Sequence, residues 1–222
     1  MNTDLLLKSY IFKGMDERQL KDALTYLNAR EVFYKKGENL IMLSNPINEF
    51  AVVLSGAVQV SCDDINGNRM IMTTVARGDM FSESLAVTAC RESPINATAA
   101  EDTWILWLSA DIIRRNESDN PVKNMIVLNF INAVANKCLM MNDRVQILSK
   151  KTIREKVITY LSQVSEQGKK LELKIPFDRQ GMADYLGVER SALSRELSRM
   201  EKEGIISYKK NIFTILKGQM LL

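Results

Sequence analysis

Three rhythms of apolar and polar residues follow one another along the chain. From Asp16 to Leu27 the apolar positions fall three and four apart, with Leu20, Leu24 and Leu27 on one face, which predicts a short amphipathic helix. From Glu31 to Leu108 the period shortens. REVFYKKGENLIML, NEFAVVLSGAVQVSCDD, NRMIMTTVARGDMF and DTWILWLS are β-branched or aromatic runs, broken at Lys36-Gly37, Ser55-Gly56, Asn66-Gly67 and Arg77-Gly78. Short strands between glycine-marked turns predict a small antiparallel barrel or jelly roll. Asn66-Gly67 is the clearest hairpin turn, because a tight two-residue turn needs the positive φ that Asn and Gly tolerate.

A third rhythm starts near Pro121, with Asp119 or Asn120 placed to cap it. Val127, Ile131, Val134, Cys138, Met141, Val145 and Leu148 fill successive a and d positions over three heptads. Such a stripe fits either the core helix of a monomer or the seam of a helix pair, and its strict 3.5-residue period favours a parallel partner. A second set, Leu128, Ala135 and Leu139, is placed to face the barrel. The helix is expected to break near Ser149 to Lys151, where Thr152 and Glu155 have capping-box spacing. Ile153, Val157, Ile158, Leu161 and Val164 then form the apolar face of a new helix closed by Gly168, and LELKIPF reads as a strand.

IPFDRQGMADYLGVERSALSRELSRMEKEGIIS holds two helical patterns separated by Gly187. Asp178 is placed to cap the first, in which Met182, Ala183, Tyr185 and Leu186 point inward, and Val188 plugs the space between the two. The second starts near Arg190, with Leu193, Leu197 and Met200 on its apolar side and Ser191, Ser194, Arg195 and Ser198 on its polar side. This is helix-turn-helix spacing, in which the second helix enters the major groove of DNA. IISYKKNIFTIL reads as a two-stranded wing turned at Lys209, Lys210 and Asn211, with lysines suited to phosphate. Arginine matches the O6 and N7 edge of guanine with two parallel hydrogen bonds, so Arg190 and Arg195 are the candidate base readers.

Composition narrows the field. The 222 residues include no histidine, which removes Ser-His-Asp and Cys-His catalysis, His-ligated haem and the common zinc sites. An enzyme is therefore not expected. Cys62, Cys90 and Cys138 are far apart and odd in number, so no disulfide framework or metal knuckle is expected. No apolar run approaches membrane-spanning length and no leader is evident, so the chain is read as cytoplasmic, with no membrane partner. Charge is uneven: residues 1–150 carry 16 basic and 18 acidic side chains, residues 151–222 carry 14 and 9. The basic end is the expected polyanion binder.

YKKGENLI, FAVVLSGAVQV, RGDMFSES and the helix-turn-helix together resemble the cyclic-AMP receptor/fumarate-nitrate regulator (CRP/FNR) superfamily, over nearly the whole chain. The resemblance implies an α+β protein in three parts. A β-roll of the cyclic-nucleotide-binding jelly-roll kind would occupy 1–118, a long dimerisation helix and hinge 119–150, and a winged helix-turn-helix 151–222. It implies a homodimeric transcription regulator that binds an inverted repeat in double-stranded DNA and meets RNA polymerase. Positions matching Arg190, Ser191 and Arg195 touch bases in the family, Ser194 lies on the same face, and those matching Arg179 and Gln180 approach the backbone. Many members have glutamate where this chain has Ser191.

RGDMFSESLAVTACRESPINATAA stands where the family's phosphate-binding cassette falls. Glu83 matches the glutamate that holds a cyclic nucleotide's ribose. The arginine and serine that pair with its phosphate are replaced by Ser93 and Pro94, the glycine before the glutamate is Ser82, and Arg91 stands two residues early. Burying a phosphate without a guanidinium is costly, so an effector other than cyclic AMP is expected. The resemblance places it among Met80, Phe81, Glu83, Ser84, Leu85, Ile95, Leu139, Met140 and Asn142, a lining that suits a small apolar or aromatic molecule. The same residues are equally consistent with a plain core and an unliganded regulator. Neither a cofactor nor a metal is expected: the cysteine cluster of the oxygen-sensing branch is missing, as is histidine for haem. Two alternatives stand beside this reading, a thiol switch at Cys138 and a ligand-binding barrel without DNA function.

Overall fold

A computed structural model describes residues 3–63, 69–88, 92–115, 120–168 and 172–216. It divides into two compact units, residues 1–136 and 137–222.

The first unit opens with α1 (Thr3–Lys8), a 3-10 turn (Tyr10–Phe12) and α2 (Glu17–Tyr26). α2 starts where the pattern placed it. The Asp16 side chain accepts from the Gln19 amide and the Gln19 side chain accepts from the Asp16 amide, a reciprocal cap, and Leu20, Ala23 and Leu27 are buried. α1 and the turn were not foreseen, yet they bury Leu6, Ile11 and Phe12 completely.

Strands β1 (Arg30–Tyr34), β2 (Asn39–Ile41), β3 (Glu49–Ser55), β4 (Val58–Asp63), β5 (Arg69–Val75) and β6 (Met80–Phe81) follow. After them come α3 (Glu83–Val87), β7 (Asn96–Ala99), β8 (Thr103–Ser109) and α4 (Asp111–Arg115). They form two antiparallel four-stranded sheets, ordered β1-β8-β3-β6 and β2-β7-β4-β5, around one shared core. This is the expected jelly roll. β7, whose NATA sequence has no strand-like apolar run, was not foreseen; it pairs with both β2 and β4. The Asn66-Gly67 turn lies outside the described residues, although the β4–β5 pairing on either side of it is antiparallel. Gly56 shows why its turn needs glycine: φ is +80°, and a Cβ there would stand 2.4 Å from Thr103 Oγ1.

α5 (Pro121–Leu148) is the long helix. Asn120 caps it, its Oδ1 accepting from the amides of Val122 (2.9 Å) and Lys123 (3.3 Å); Asp119 lies outside the described residues. The face that covers the first unit is Val122, Ile126, Phe130 and Ala133, with Phe130 edge-on to Phe50 at 5.4 Å. This corrects the assignment of Leu128 and Ala135 to the barrel, since both are exposed. The helix is apolar on several sides, so spacing alone does not rank its faces. Along the heptad stripe, Val127 and Val134 are half-buried, whereas Ile131 is 56% exposed, Met141 67% and Val145 62%, and Cys138 is exposed too.

The second unit takes in the end of α5, then α6 (Ile153–Gly168), β9 (Glu172–Lys174), α7 (Arg179–Leu186), α8 (Arg190–Lys202), β10 (Ile206–Lys209) and β11 (Ile212–Ile215). Thr152 and Glu155 form the expected capping box: Thr152 Oγ1 accepts from the Glu155 amide (3.2 Å) and Glu155 Oε2 from the Thr152 amide (3.0 Å). Val157, Tyr160, Leu161, Met182, Leu186, Leu193, Leu197 and Met200 form its core with Ile147 of α5. The wing differs from expectation. It has three strands, β10-β11-β9, because LELKIPF adds to the hairpin rather than standing alone.

Candidate nucleic-acid interface

Local chemistry sets the α7–α8 geometry. Asp178 caps α7 by accepting from the Gly181 amide at 2.7 Å. Gly187 ends α7 at φ +61°, which is what calls for glycine; a Cβ there would also meet Leu148 Cδ2 at 3.0 Å, a contact that the leucine tip would have to yield to. Lys156 Nζ donates to the Leu186 carbonyl (3.0 Å) and the Gly187 carbonyl (3.4 Å), satisfying the end of α7 from α6.

Glu189 is a structural element of this face that pattern reasoning missed, although a carboxylate just before a helix is the signal to look for. It caps α8, its carboxylate accepting from the amides of Ser191 (2.9 Å) and Ala192 (2.8 Å) and from the Ser191 hydroxyl. The Ser191 hydroxyl first, then the two amides, with the Arg195 charge a smaller influence, hold its carboxyl down to about 2. A depressed carboxyl stabilises the folded form above its unfolded value of about 4.3 and loses that contribution as pH falls toward the folded one. The first turn of α8 is therefore expected to loosen between roughly pH 4.3 and 2, seen as faster exchange of the Ser191 and Ala192 amides. Glu189→Gln is expected to remove that acid dependence; an unchanged acid transition in the variant would show that Glu189 is not its source.

Beyond the cap, Arg190 and Arg195 are exposed. The serines of the same polar face are more committed. The Ser194 hydroxyl donates to the Arg190 carbonyl at 3.0 Å, Ser198 lies 3.4 Å from the Tyr208 hydroxyl, and the Ser191 hydroxyl is held by Glu189. Ser194, Arg195 and Ser198 line an open cleft of about 570 Å³ together with Arg199 and Lys202, two further cations that sequence reasoning did not single out. The face thus offers forked and point charges at helical spacing, the equipment for base edges and phosphates.

Arg179 sits between α7 and the wing. Its guanidinium lies over Tyr208 (5.0 Å) and Phe213 (5.6 Å), and Nη2 donates to the Lys210 carbonyl at 3.3 Å. Gln180 is exposed, its Nε2 donating to Asp184 at 2.9 Å. The wing turn is Lys210-Asn211, with Lys210 at φ +57° and Lys209 ending β10; both lysines are exposed.

The expected effector residues fall in different settings. Met80 and Phe81 are buried in the first unit's core, Phe81 lying edge-on to Trp107 at 5.8 Å. Glu83 is buried, Leu85 and Ile95 are half-buried, and Ser84 is exposed. Leu139, Met140 and Asn142 lie on exposed α5 surface of the second unit. Ser82, where the resemblance expects glycine, takes the left-handed φ of +59°, and its hydroxyl donates to the Glu49 carbonyl at 3.1 Å. Ser93, where the resemblance expects arginine, is buried, its hydroxyl donating to the Ile95 carbonyl (2.7 Å) and accepting from the Ile95 amide (3.2 Å). Arg91 lies outside the described residues. Among the described residues no group of three metal-ligating side chains comes together.

Residues 31–116 match the family described as cyclic nucleotide-binding domain, and residues 155–222 that described as Crp-like helix-turn-helix domain. The fumarate and nitrate reduction regulatory protein of Vibrio cholerae is 22% identical over 213 residues, covering 94% of this chain and 83% of that one. The anaerobic regulatory protein of Pasteurella multocida is 22% identical over 207 residues, covering 90% and 73%. Among solved structures, a CooA mutant from Carboxydothermus hydrogenoformans has a TM-score of 0.62 at 20% identity, over 100% of this chain and 95% of that one.

Proposed function

This chain belongs to the CRP/FNR superfamily of DNA-binding transcription regulators, and from that premise we propose that it acts as a cytoplasmic homodimer, reading an inverted repeat with α8 of each protomer. The observation that carries the dimer is the exposed stripe on α5. Burying one such side chain is worth about 1.5–3 kcal/mol, so a row of Ile131, Met141, Val145 and Leu148 left in water is a strong drive to associate. By length and composition alone α5 would also pass for a membrane span. The exposed Asn124, Asn132, Asn136 and Asn142 along it argue for a protein partner, because hydrocarbon would satisfy none of them.

RNA polymerase and a small molecule complete the proposal. The effector is not cyclic AMP: the position that would carry the phosphate-binding arginine is a buried serine whose hydroxyl already serves the Ile95 backbone. A small apolar or aromatic molecule held by the β-roll is the class that Met80, Phe81, Leu85 and Ile95 suit. Calorimetric titration with cyclic AMP is expected to give no binding heat. Saturable binding at micromolar nucleotide would reverse this part of the proposal.

DNA affinity itself is tested by gel shift on genomic fragments at several salt concentrations. Binding is expected to weaken steeply with salt, and Lys209→Ser with Lys210→Asn, the latter compatible with a left-handed turn, is expected to lower the slope of log affinity against log salt by about two per wing. Discrimination between sites should survive. Lost discrimination with an unchanged slope would show that the wing contacts something other than phosphate.

A further inference from the structure

Arg154, in the first turn of α6, is not among the candidate DNA contacts, yet its guanidinium ties α6 to two carboxylates at α8. Its Nε lies 2.6 Å from Glu196 Oε1, its Nη1 2.7 Å from Glu203 Oε2 and its Nη2 3.0 Å from Glu203 Oε1. Glu196 is next in sequence to Arg195, with its side chain 15% exposed, and Glu203 caps the end of α8. The two carboxylates are seven residues apart, two turns along one side of the helix.

Resting on the DNA reading proposed above, we infer that Arg154 is a positioning residue for base recognition: it fixes the rotation and slide of α8, and so the place of the Arg195 head. The apolar seat of α8, Leu193, Leu197 and Met200, sets its depth through contacts that have no direction. A planar fork holding two carboxylates does have direction. A helix rotation of about 20° moves a side-chain head about 8 Å from the axis by about 3 Å, the length of a hydrogen bond. Base reading therefore depends on the clamp more than folding does, since the Arg154–Glu203 pair is partly exposed and adds little to stability, and Glu196, although more buried, keeps Arg199 at 3.5 Å.

The test measures, for wild type, Arg154→Ala and Arg154→Lys, the affinity for the selected site, for that site altered at the pair Arg195 reads, and for random DNA, together with thermal melting. Arg154→Ala is expected to lower discrimination between the first two about tenfold, with random-DNA affinity and the melt nearly unchanged. Arg154→Lys keeps the charge but cannot span both carboxylates, so a smaller fall in the same ratio is expected, and either variant suffices if the other folds poorly. Glu196→Gln combined with Arg154→Ala should be no worse than Arg154→Ala alone. An unchanged ratio, or specific and random affinity falling together with the melt, overturns the positioning role while leaving the DNA reading intact. A wild type that selects no sequence overturns both.

Discussion

Met141→Lys is expected to turn the proposed dimer into monomers. Met141 is 67% exposed in the protomer, so a lysine there leaves the folded chain undisturbed. Two-fold symmetry would place two lysines in the seam, and the effective penalty for a buried unpaired charge is several kcal/mol per ion. The dimer constant should weaken by a thousandfold or more, on the order of the 1.4 kcal/mol per tenfold conversion. Sedimentation velocity at micromolar protein should show a single species near 25 kDa, against about twice that for wild type. Site-specific DNA binding should fall in step, because one protomer reads one half-site. Val134→Lys is a weaker test, since Val134 already packs against its own first unit and its replacement would also disturb folding. A Met141→Lys protein that sediments as a dimer would remove the stripe from the interface.

Arg195→Ala is expected to cost about 1–3 kcal/mol per half-site, the worth of a bidentate contact to guanine. The loss should be specific. Choice at one symmetric base pair should relax, while affinity for random DNA changes by no more than one phosphate contact would account for. Competition titrations with the four possible pairs at that position measure it. Arg195 takes this role ahead of Ser191 because the Ser191 hydroxyl is already held by Glu189, whereas the Arg195 guanidinium stands exposed on the same face. A variant that still ranks the four pairs as wild type does would mean that Arg195 is merely solvated.

The strands other than β7, the Gly187 turn and both helices α7 and α8 were legible because each rests on local chemistry: alternation, a glycine where φ must be positive, a capping side chain. The long helix was legible in extent and less so in orientation. Its covering face, Val122, Ile126, Phe130 and Ala133, runs through Asn129, whose Nδ2 donates to the carbonyls of Ile11 and Lys13, and nothing local announces those partners. β7 was hidden because NATA has the composition of a loop and becomes a strand only through its neighbours β2 and β4. The candidate interface shows the same division. Arg190 and Arg195 were read from helix spacing and the Glu189 cap that holds Ser191 is local too, whereas the Arg179 stack and the Arg154 clamp depend on residues brought together from up to 49 positions away.

Selection of wild-type protein on randomised duplex DNA, with sequencing of the bound fraction, tests the central claim most directly. The expected result is enrichment of an inverted repeat whose half-site centres lie about one helical turn apart, 10 to 10.5 base pairs or a multiple of that, since two recognition helices related by a two-fold axis enter major grooves on one side of the duplex. A bound pool with no enriched motif, or one enriched without two-fold symmetry, would contradict it.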